Sequence, residues 1–141
     1  MKICIAGRST RKAWAEPLAE CLKKDPEHEV CLALIGPEFS VDKFLVAVED
    51  AEILIVLLEG PSREPWFMAL EAFGSGKFVL CLAPDGLTLV EEALLSVMSK
   101  NIAIIPRSDP EQVAHEVLPH FFERWGFRNP DQISLGVTAH S

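Results

Sequence analysis

Six consecutive apolar residues are the strongest indication of the fold of this chain: Ile-Leu-Ile-Val-Leu-Leu at positions 53–58. The run has the length of a β-strand, contains three β-branched residues, and is followed by the breaker Gly60-Pro61. Because apolar and polar residues do not alternate along it, both faces of the strand must be covered. Such a strand is typical of the centre of a parallel sheet that carries helices on each side.

Four further strands are predicted from other apolar runs, at residues 2–6, 29–35, 78–82 and 102–105. Amphipathic segments between these runs predict helices around residues 18–22, 40–49, 65–73 and 88–98, and a last helix that begins at Asp109-Pro110. Right-handed crossovers place helices on both faces of a parallel sheet. The expected class is therefore α/β, a flavodoxin-like or Rossmann-like three-layer sandwich with five parallel strands in the order 2-1-3-4-5.

The chain has 141 residues, of which 49% are apolar and 24% are charged, and this composition suits one globular domain. We expect the domain to span residues 1–126, followed by a polar C-terminal tail at 127–141. No apolar run approaches the ~20 residues that cross a bilayer, and no signal peptide is recognisable. The expected location is the cytoplasm, and a membrane is not an expected partner.

The charge of the chain is unevenly distributed. The formal net charge is −8, which disfavours a nucleic-acid polymer as partner. Three of the 13 Lys and Arg residues nevertheless fall within five positions, at Arg8, Arg11 and Lys12, and they are interleaved with Ser9 and Thr10. A small anion is a better candidate ligand for such a cluster than a polymer is.

Parallel α/β sheets bind ligands beyond the carboxyl ends of their strands, where the strand order reverses. In the expected order this point lies between the first and third strands, at the loops 7–16 and 59–64. Both loops offer backbone N–H groups, hydroxyls or cations to a phosphate or carboxylate. The candidate ligand-binding residues are Gly7, Arg8, Ser9, Thr10, Arg11, Pro61 and Ser62, with Lys12 adding positive field.

Other interpretations of these loops remain open. The basic residues can be merely solvated, and Ser62 can act only as a helix cap. Trp14 lies near the end of the first loop and Trp66 follows the second, and at either place an indole can stack a nucleobase or simply pack into the core. Neither a P-loop nor a Gly-x-Gly-x-x-Gly motif is present.

The four cysteines, Cys4, Cys21, Cys31 and Cys81, show no Cys-x-x-Cys spacing, and the histidines show no ligand spacing relative to them. We therefore expect buried structural thiols in a reducing compartment. No metal site and no cofactor are expected.

The stretches 50–56 and 68–80 resemble the nucleoside 2-deoxyribosyltransferase-like superfamily, which includes the deoxynucleoside 5'-monophosphate N-glycosidases. Ala51-Glu52, Ala72 and Gly76-Lys77 fall in register with its motifs, and residues 1–7 look like its first strand and turn. The resemblance covers residues 1–85. It implies that Gly7–Arg11 and Pro61-Ser62 hold a phosphate, and that the chain assembles as a homodimer or larger homo-oligomer.

Two departures from this family concern catalysis. Met68 stands at the position of the family's nucleophilic glutamate, and Phe44 stands at that of its upstream aspartate. Neither side chain can attack or shield the anomeric carbon of a sugar. Glu64 and Glu71 are the neighbouring carboxylates that could replace the nucleophile.

The leading hypothesis is a protein of this superfamily that binds a nucleotide or phosphorylated nucleoside without the usual catalysis. One alternative is an active N-glycosidase or deoxyribosyltransferase that uses Glu64 or Glu71. A second alternative is a flavodoxin-like interaction module. A receiver domain would need an acidic pair after the first strand, where this chain has Gly7-Arg8. The aromatic cluster at 121–127 can form an interface or pack the last helix on the sheet.

Overall fold

The computed structural model of the chain describes residues 1–36, 41–59, 63–83, 102–106 and 109–126. Its strands are β1 (Lys2–Arg8), β2 (Glu29–Ile35), β3 (Ile53–Leu57), β4 (Phe78–Ala83) and β5 (Ile102–Pro106). They form one parallel sheet in the order β2-β1-β3-β4-β5. The α/β class and the order 2-1-3-4 of the first four strands are confirmed.

The helices are α1 (Lys12–Lys23), α2 (Val41–Asp50), α3 (Arg63–Gly74) and α4, which comprises residues 110–124. A 3₁₀ turn, Ser9–Arg11, leads from β1 into α1. The beginning of α4 is as predicted, because Asp109 accepts a hydrogen bond from the backbone N–H of Gln112 at 2.8 Å and Pro110 follows the cap. The helix predicted at 88–98 and the tail at 127–141 lie outside the described residues.

Helix α4 widens before its internal proline. Its segment Val113–Val117 is π-helical, and Leu118–Arg124 returns to α-helix. Pro119 has no N–H to donate, and its ring crowds the carbonyl four residues earlier in a regular helix. The wider turn lies just before Pro119, which would otherwise interrupt a regular α-helix.

Two apolar layers cover the sheet, one on each face. Alternate residues of β1 and β3 supply both layers, since neighbouring side chains along a strand point to opposite faces. On one face they pack against α2 and α3, through Phe44, Val48, Met68, Ala69 and Ala72. On the other face they pack against α1 and α4, through Ala15, Leu18, Leu22, Val113 and Leu118. Residues 53–58 are buried without exception, as the absence of alternation predicted.

The start of α1 differs from the sequence-based expectation. The strand β1 does not end before Gly7 but continues through Gly7 and Arg8. It then passes directly into the Ser9–Arg11 turn, so α1 already begins at Lys12. Pro17 consequently lies inside the helix, on its exposed side.

Gly7 allows β1 and β3 to approach closely at their carboxyl ends. A Cβ atom at Gly7 would lie 3.2 Å from the Cβ of Leu57 and 3.3 Å from its carbonyl oxygen. Both contacts are tighter than ordinary van der Waals distances, and the second partner is backbone that cannot turn aside. The two strands must therefore separate slightly to admit any larger residue.

We predict that Gly7→Ala lowers the free energy of unfolding by about 1–3 kcal/mol, because it overpacks a rigid contact. The matched control is Gly74→Ala at the end of α3, where an added Cβ meets nothing within 4 Å. This control should be neutral or stabilising by up to about 1 kcal/mol, since alanine favours helix. Urea denaturation measures both, and equal stability of the two variants would contradict the close contact.

Candidate functional site

The carboxyl ends of β1 and β3 meet where the strand order reverses. After β1 the chain continues toward β2, and after β3 it continues toward β4. The two connecting segments therefore diverge from this point. The turn Ser9–Arg11 follows β1, and Glu59 follows β3 by two residues. The first predicted loop and the beginning of the second therefore both lie at this edge of the sheet.

One hydrogen bond joins the two loops. The Thr10 hydroxyl donates to the Glu59 carboxylate, with 2.6 Å between Oγ1 and Oε2. Hydrogen bonds of this kind, from a neutral hydroxyl to an ionised oxygen, are short and stronger than neutral ones. The bond holds a half-buried carboxylate beside a turn that is otherwise basic.

Glu59 was not among the residues that the sequence singled out. Glu59 is the first residue of the second predicted loop, and its carboxylate is not one of the cations or hydroxyls that hold an anion. Its position after six buried apolar residues was the available signal, since the residue that follows a central strand emerges at the ligand-binding edge.

The predicted residues of the first loop come together at this edge. Gly7 is buried at the end of β1, and Arg8 is half-buried as its last residue. Ser9 and Thr10 are exposed in the turn, and Arg11 is half-buried at its end. Lys12 begins α1 and is exposed.

The turn is also packed against the end of β2. A Cβ atom at Gly36 would lie 2.7 Å from the Ser9 hydroxyl oxygen, so only glycine leaves room for that side chain. Pro61 and Ser62, the predicted contribution of the second loop, lie outside the described residues.

The two tryptophans lie on opposite faces of the sheet. Trp14 is half-buried against the layer of α1 and α4, and Trp66 is half-buried against the layer of α2 and α3. The structure therefore does not bring the two indoles together, and each contacts the core.

The two positions at which the superfamily that the sequence resembles carries carboxylates are interior. Phe44 on α2 and Met68 on α3 are each 1% exposed and belong to the same apolar cluster. An ionised side chain at either position would lose its hydration among apolar neighbours. The two residues that differ from the superfamily's carboxylates are thus core residues of the described fold.

The two substitute carboxylates are far apart along α3. Glu64 lies in the first turn, near the carboxyl edge of the sheet, whereas Glu71 lies two turns further on. Seven residues of helix correspond to about 10 Å of rise. Both side chains are exposed, and the fold does not bring them to one point.

The aromatic residues of α4 pack onto the sheet. Phe121 is buried, the Trp125 ring lies 5.0 Å from that of Phe78, and the Phe122 ring lies 5.6 Å from that of His28. The packing interpretation of this cluster is therefore confirmed for these three residues. Phe127 lies outside the described residues.

The expectation of four buried thiols is wrong for one cysteine. Cys4 and Cys81 are buried and Cys21 is half-buried, but Cys31 is exposed because β2 is the edge strand of the sheet. In the described part of the chain, no group of three or more His, Cys, Asp or Glu side chains could hold a metal ion. Within the same ranges, no helix has the length and apolar character needed to span a membrane.

These features define a flavodoxin-like α/β domain. A solved structure with this fold is that of a response regulator receiver domain protein (CheY-like) from Methanospirillum hungatei JF-1, with a TM-score of 0.58 and 14% sequence identity. The likeness covers 89% of this chain and 96% of that chain. No protein-family model and no curated protein matches the sequence.

We predict that a carboxylate introduced with Met68→Glu lowers the free energy of unfolding by about 3–5 kcal/mol at neutral pH, because it buries an uncompensated charge. Met68→Leu, which keeps the volume and polarity, should cost less than about 1.5 kcal/mol. Thermal and urea unfolding measure the difference. A Met68→Glu variant as stable as Met68→Leu would show that position 68 is open to solvent or to a cation.

Proposed function

We propose that this chain is a nucleotide- or phosphorylated-nucleoside-binding protein, related to the nucleoside 2-deoxyribosyltransferase-like superfamily, that does not cleave its ligand. The observation that supports the binding site is the clustering of Arg8, Arg11 and Lys12 around an exposed turn at the switch point of the sheet. Cations and turn N–H groups at this edge attract phosphate groups.

Glu59 refines the class of ligand. Its carboxylate repels a bare phosphate, but it accepts hydrogen bonds and can take one from a sugar hydroxyl. A phosphorylated sugar satisfies both groups, with the phosphate at the basic turn and a hydroxyl at Glu59. Inorganic phosphate interacts favourably with the basic turn alone and should bind more weakly than a phosphorylated sugar.

The absence of catalysis follows in this proposal from the core positions of Phe44 and Met68. Cleavage of a base–sugar bond needs a carboxylate at the anomeric carbon and an acid that assists the leaving base. Of the two substitutes, Glu64 alone lies near the ligand-binding edge. An active N-glycosidase or deoxyribosyltransferase, the alternative function, would therefore depend on Glu64.

Calorimetry with deoxy- and ribonucleoside 5'-monophosphates tests the proposal. Lys12→Glu, at the start of α1, should weaken binding about tenfold, which corresponds to about 1.4 kcal/mol. Lys23→Glu makes the same charge change at the exposed far end of the helix, about 16 Å away by helix rise, and should change the affinity less than about twofold.

Two results would overturn this function. Wild-type protein that binds none of the monophosphates at millimolar concentration would rule out the ligand class, and equal losses in Lys12→Glu and Lys23→Glu would place the site elsewhere. Chromatography of the same mixtures should show no free base. Release of free base that Glu64→Gln abolishes would replace binding with the alternative, enzymatic function.

A second candidate function, an interaction module, is supported by the outer face of α3. Phe67 and Leu70 are each 58% exposed and Phe73 is 36% exposed, while Met68, Ala69 and Ala72 of the same helix face the core. Large apolar side chains that are exposed together on one helix often mark a protein–protein contact. By contrast, α1 presents Glu16, Glu20 and Lys23 to solvent.

The partner that we propose for this face is a second copy of the chain. On the same layer, α2 exposes Leu45 and Val46, so the apolar surface of the two helices is on the order of 400 Å². A stable dimer buries about 800 Å² from each partner. An exposed apolar area on the order of 400 Å² is enough to form the apolar centre of such an interface. The family resemblance implies the same partner.

We predict a dimer in size-exclusion chromatography with light scattering, and a monomer for Leu70→Arg. Position 70 is exposed, so the variant should fold normally. The matched control, Glu20→Arg on the outer face of α1, should remain a dimer. A monomeric wild-type protein at high micromolar concentration, or a dimeric Leu70→Arg variant, would contradict the proposed interface.

A further inference from the structure

Two cysteines lie directly opposite each other on neighbouring strands. Cys4 of β1 and Cys31 of β2 are register partners in the parallel pairing of these strands. Side chains of directly paired residues point to the same face of a sheet, and neighbouring strands lie about 5 Å apart. This spacing falls within the range of Cα separations that a disulfide bridges.

The two thiols differ in access to solvent. Cys4 is 0% exposed within the α2 and α3 layer, whereas Cys31 is exposed on the edge strand. A reagent in solution therefore reaches Cys31 first. Cys4 stands behind it, next to the sulfur that has reacted.

Hydrogen bonding between the thiols makes Cys31 the more acidic of the two. The hydrogen bond with Cys4 lowers the pKa of Cys31 to about 7, against the opposing effects of partial burial and of the Asp50 carboxylate. The same hydrogen bond, together with burial, raises the pKa of Cys4. Asp50 is itself paired with the Lys2 ammonium at 3.0 Å, which offsets part of its negative field. The Cys31 thiol therefore forms its nucleophilic thiolate at a lower pH than an ordinary thiol does.

We propose that Cys31 and Cys4 form a peroxide-sensitive dithiol, in which Cys31 reacts first and Cys4 resolves the product as a disulfide. Three observations support this assignment: the surface position of Cys31, its register with Cys4, and the hydrogen bond between the two thiols. The site is separate from the proposed ligand-binding turn and does not depend on the proposed function.

The chemistry balances with hydrogen peroxide as the oxidant. The Cys31 thiolate attacks one peroxide oxygen, an S–O bond forms as the O–O bond breaks, and hydroxide leaves and is protonated to water. The Cys31 sulfur is oxidised by two electrons and peroxide is reduced. The Cys4 sulfur then attacks the Cys31 sulfur, the S–S bond forms as the S–O bond breaks, and the departing hydroxide takes the Cys4 proton. A small dithiol restores both thiols.

The sequence suits a direct test, because trypsin places each cysteine in a different peptide. Cleavage after Lys and Arg gives peptides 3–8, 13–23, 25–43 and 78–100, which carry Cys4, Cys21, Cys31 and Cys81 respectively. The full chain is treated with hydrogen peroxide, blocked with an alkylating agent and digested without reductant. We expect a linked pair of peptides 3–8 and 25–43 that a dithiol separates.

Variants distinguish the two steps. Cys4→Ser should stop oxidation at the sulfenic acid of Cys31, which dimedone labels, and Cys31→Ser should leave Cys4 reduced. Cys21→Ser is the matched control and should form the same linked pair as wild type. The rate of alkylation of Cys31 in the untreated protein should rise with pH around an inflection near 7.

Three results would overturn the proposal. Peroxide could link peptides other than 3–8 and 25–43, dimedone could fail to label Cys31 in Cys4→Ser, or Cys31 could oxidise no faster than Cys21. An inflection of the alkylation rate near the ordinary thiol value of about 8.5 would contradict the acidity assigned to Cys31.

Discussion

The close pairing of β1 with β3 is the contact on which the rest of this structure depends. Gly7 lets the carboxyl ends of the two strands approach, with a would-be Cβ atom only 3.2 Å from Leu57. Both strands contribute alternate residues to both apolar layers, so their pairing fixes the positions of the helices on either face. It also brings the Ser9–Arg11 turn and Glu59 to one edge, where the Thr10 hydroxyl joins them.

The electrostatics of this edge are mixed rather than purely basic. Cations follow β1, and a carboxylate follows β3. Such a pair of groups suits a ligand that has its own internal asymmetry, with an anion at one end and hydroxyl donors at the other. In the proposed function, the interior positions of Phe44 and Met68 explain why this ligand would be bound but not cleaved, because a carboxylate could ionise there only at a large desolvation cost.

Buried strands and helix boundaries could be predicted from local sequence patterns, whereas contacts between distant segments could not. The run 53–58 predicted a strand buried on both faces, and Asp109-Pro110 predicted the beginning of α4. The start of α1 was missed because glycine commonly ends a strand, whereas Gly7 continues one. Glu59 was missed because its role depends on Thr10, 49 residues earlier in the chain. The exposure of Cys31 follows from the edge position of β2, which an apolar run does not reveal.

The central claim is that the edge formed by β1 and β3 binds a phosphorylated nucleoside without cleaving it. The most direct measurement is a titration of ¹⁵N-labelled protein with a nucleoside 5'-monophosphate, followed in amide and ligand NMR signals together. We expect shifts that centre on Gly7–Lys12 and Glu59, while the ligand's sugar and base signals keep their intensities. Shifts centred on other residues, no shifts at millimolar ligand, or the appearance of free base would contradict it.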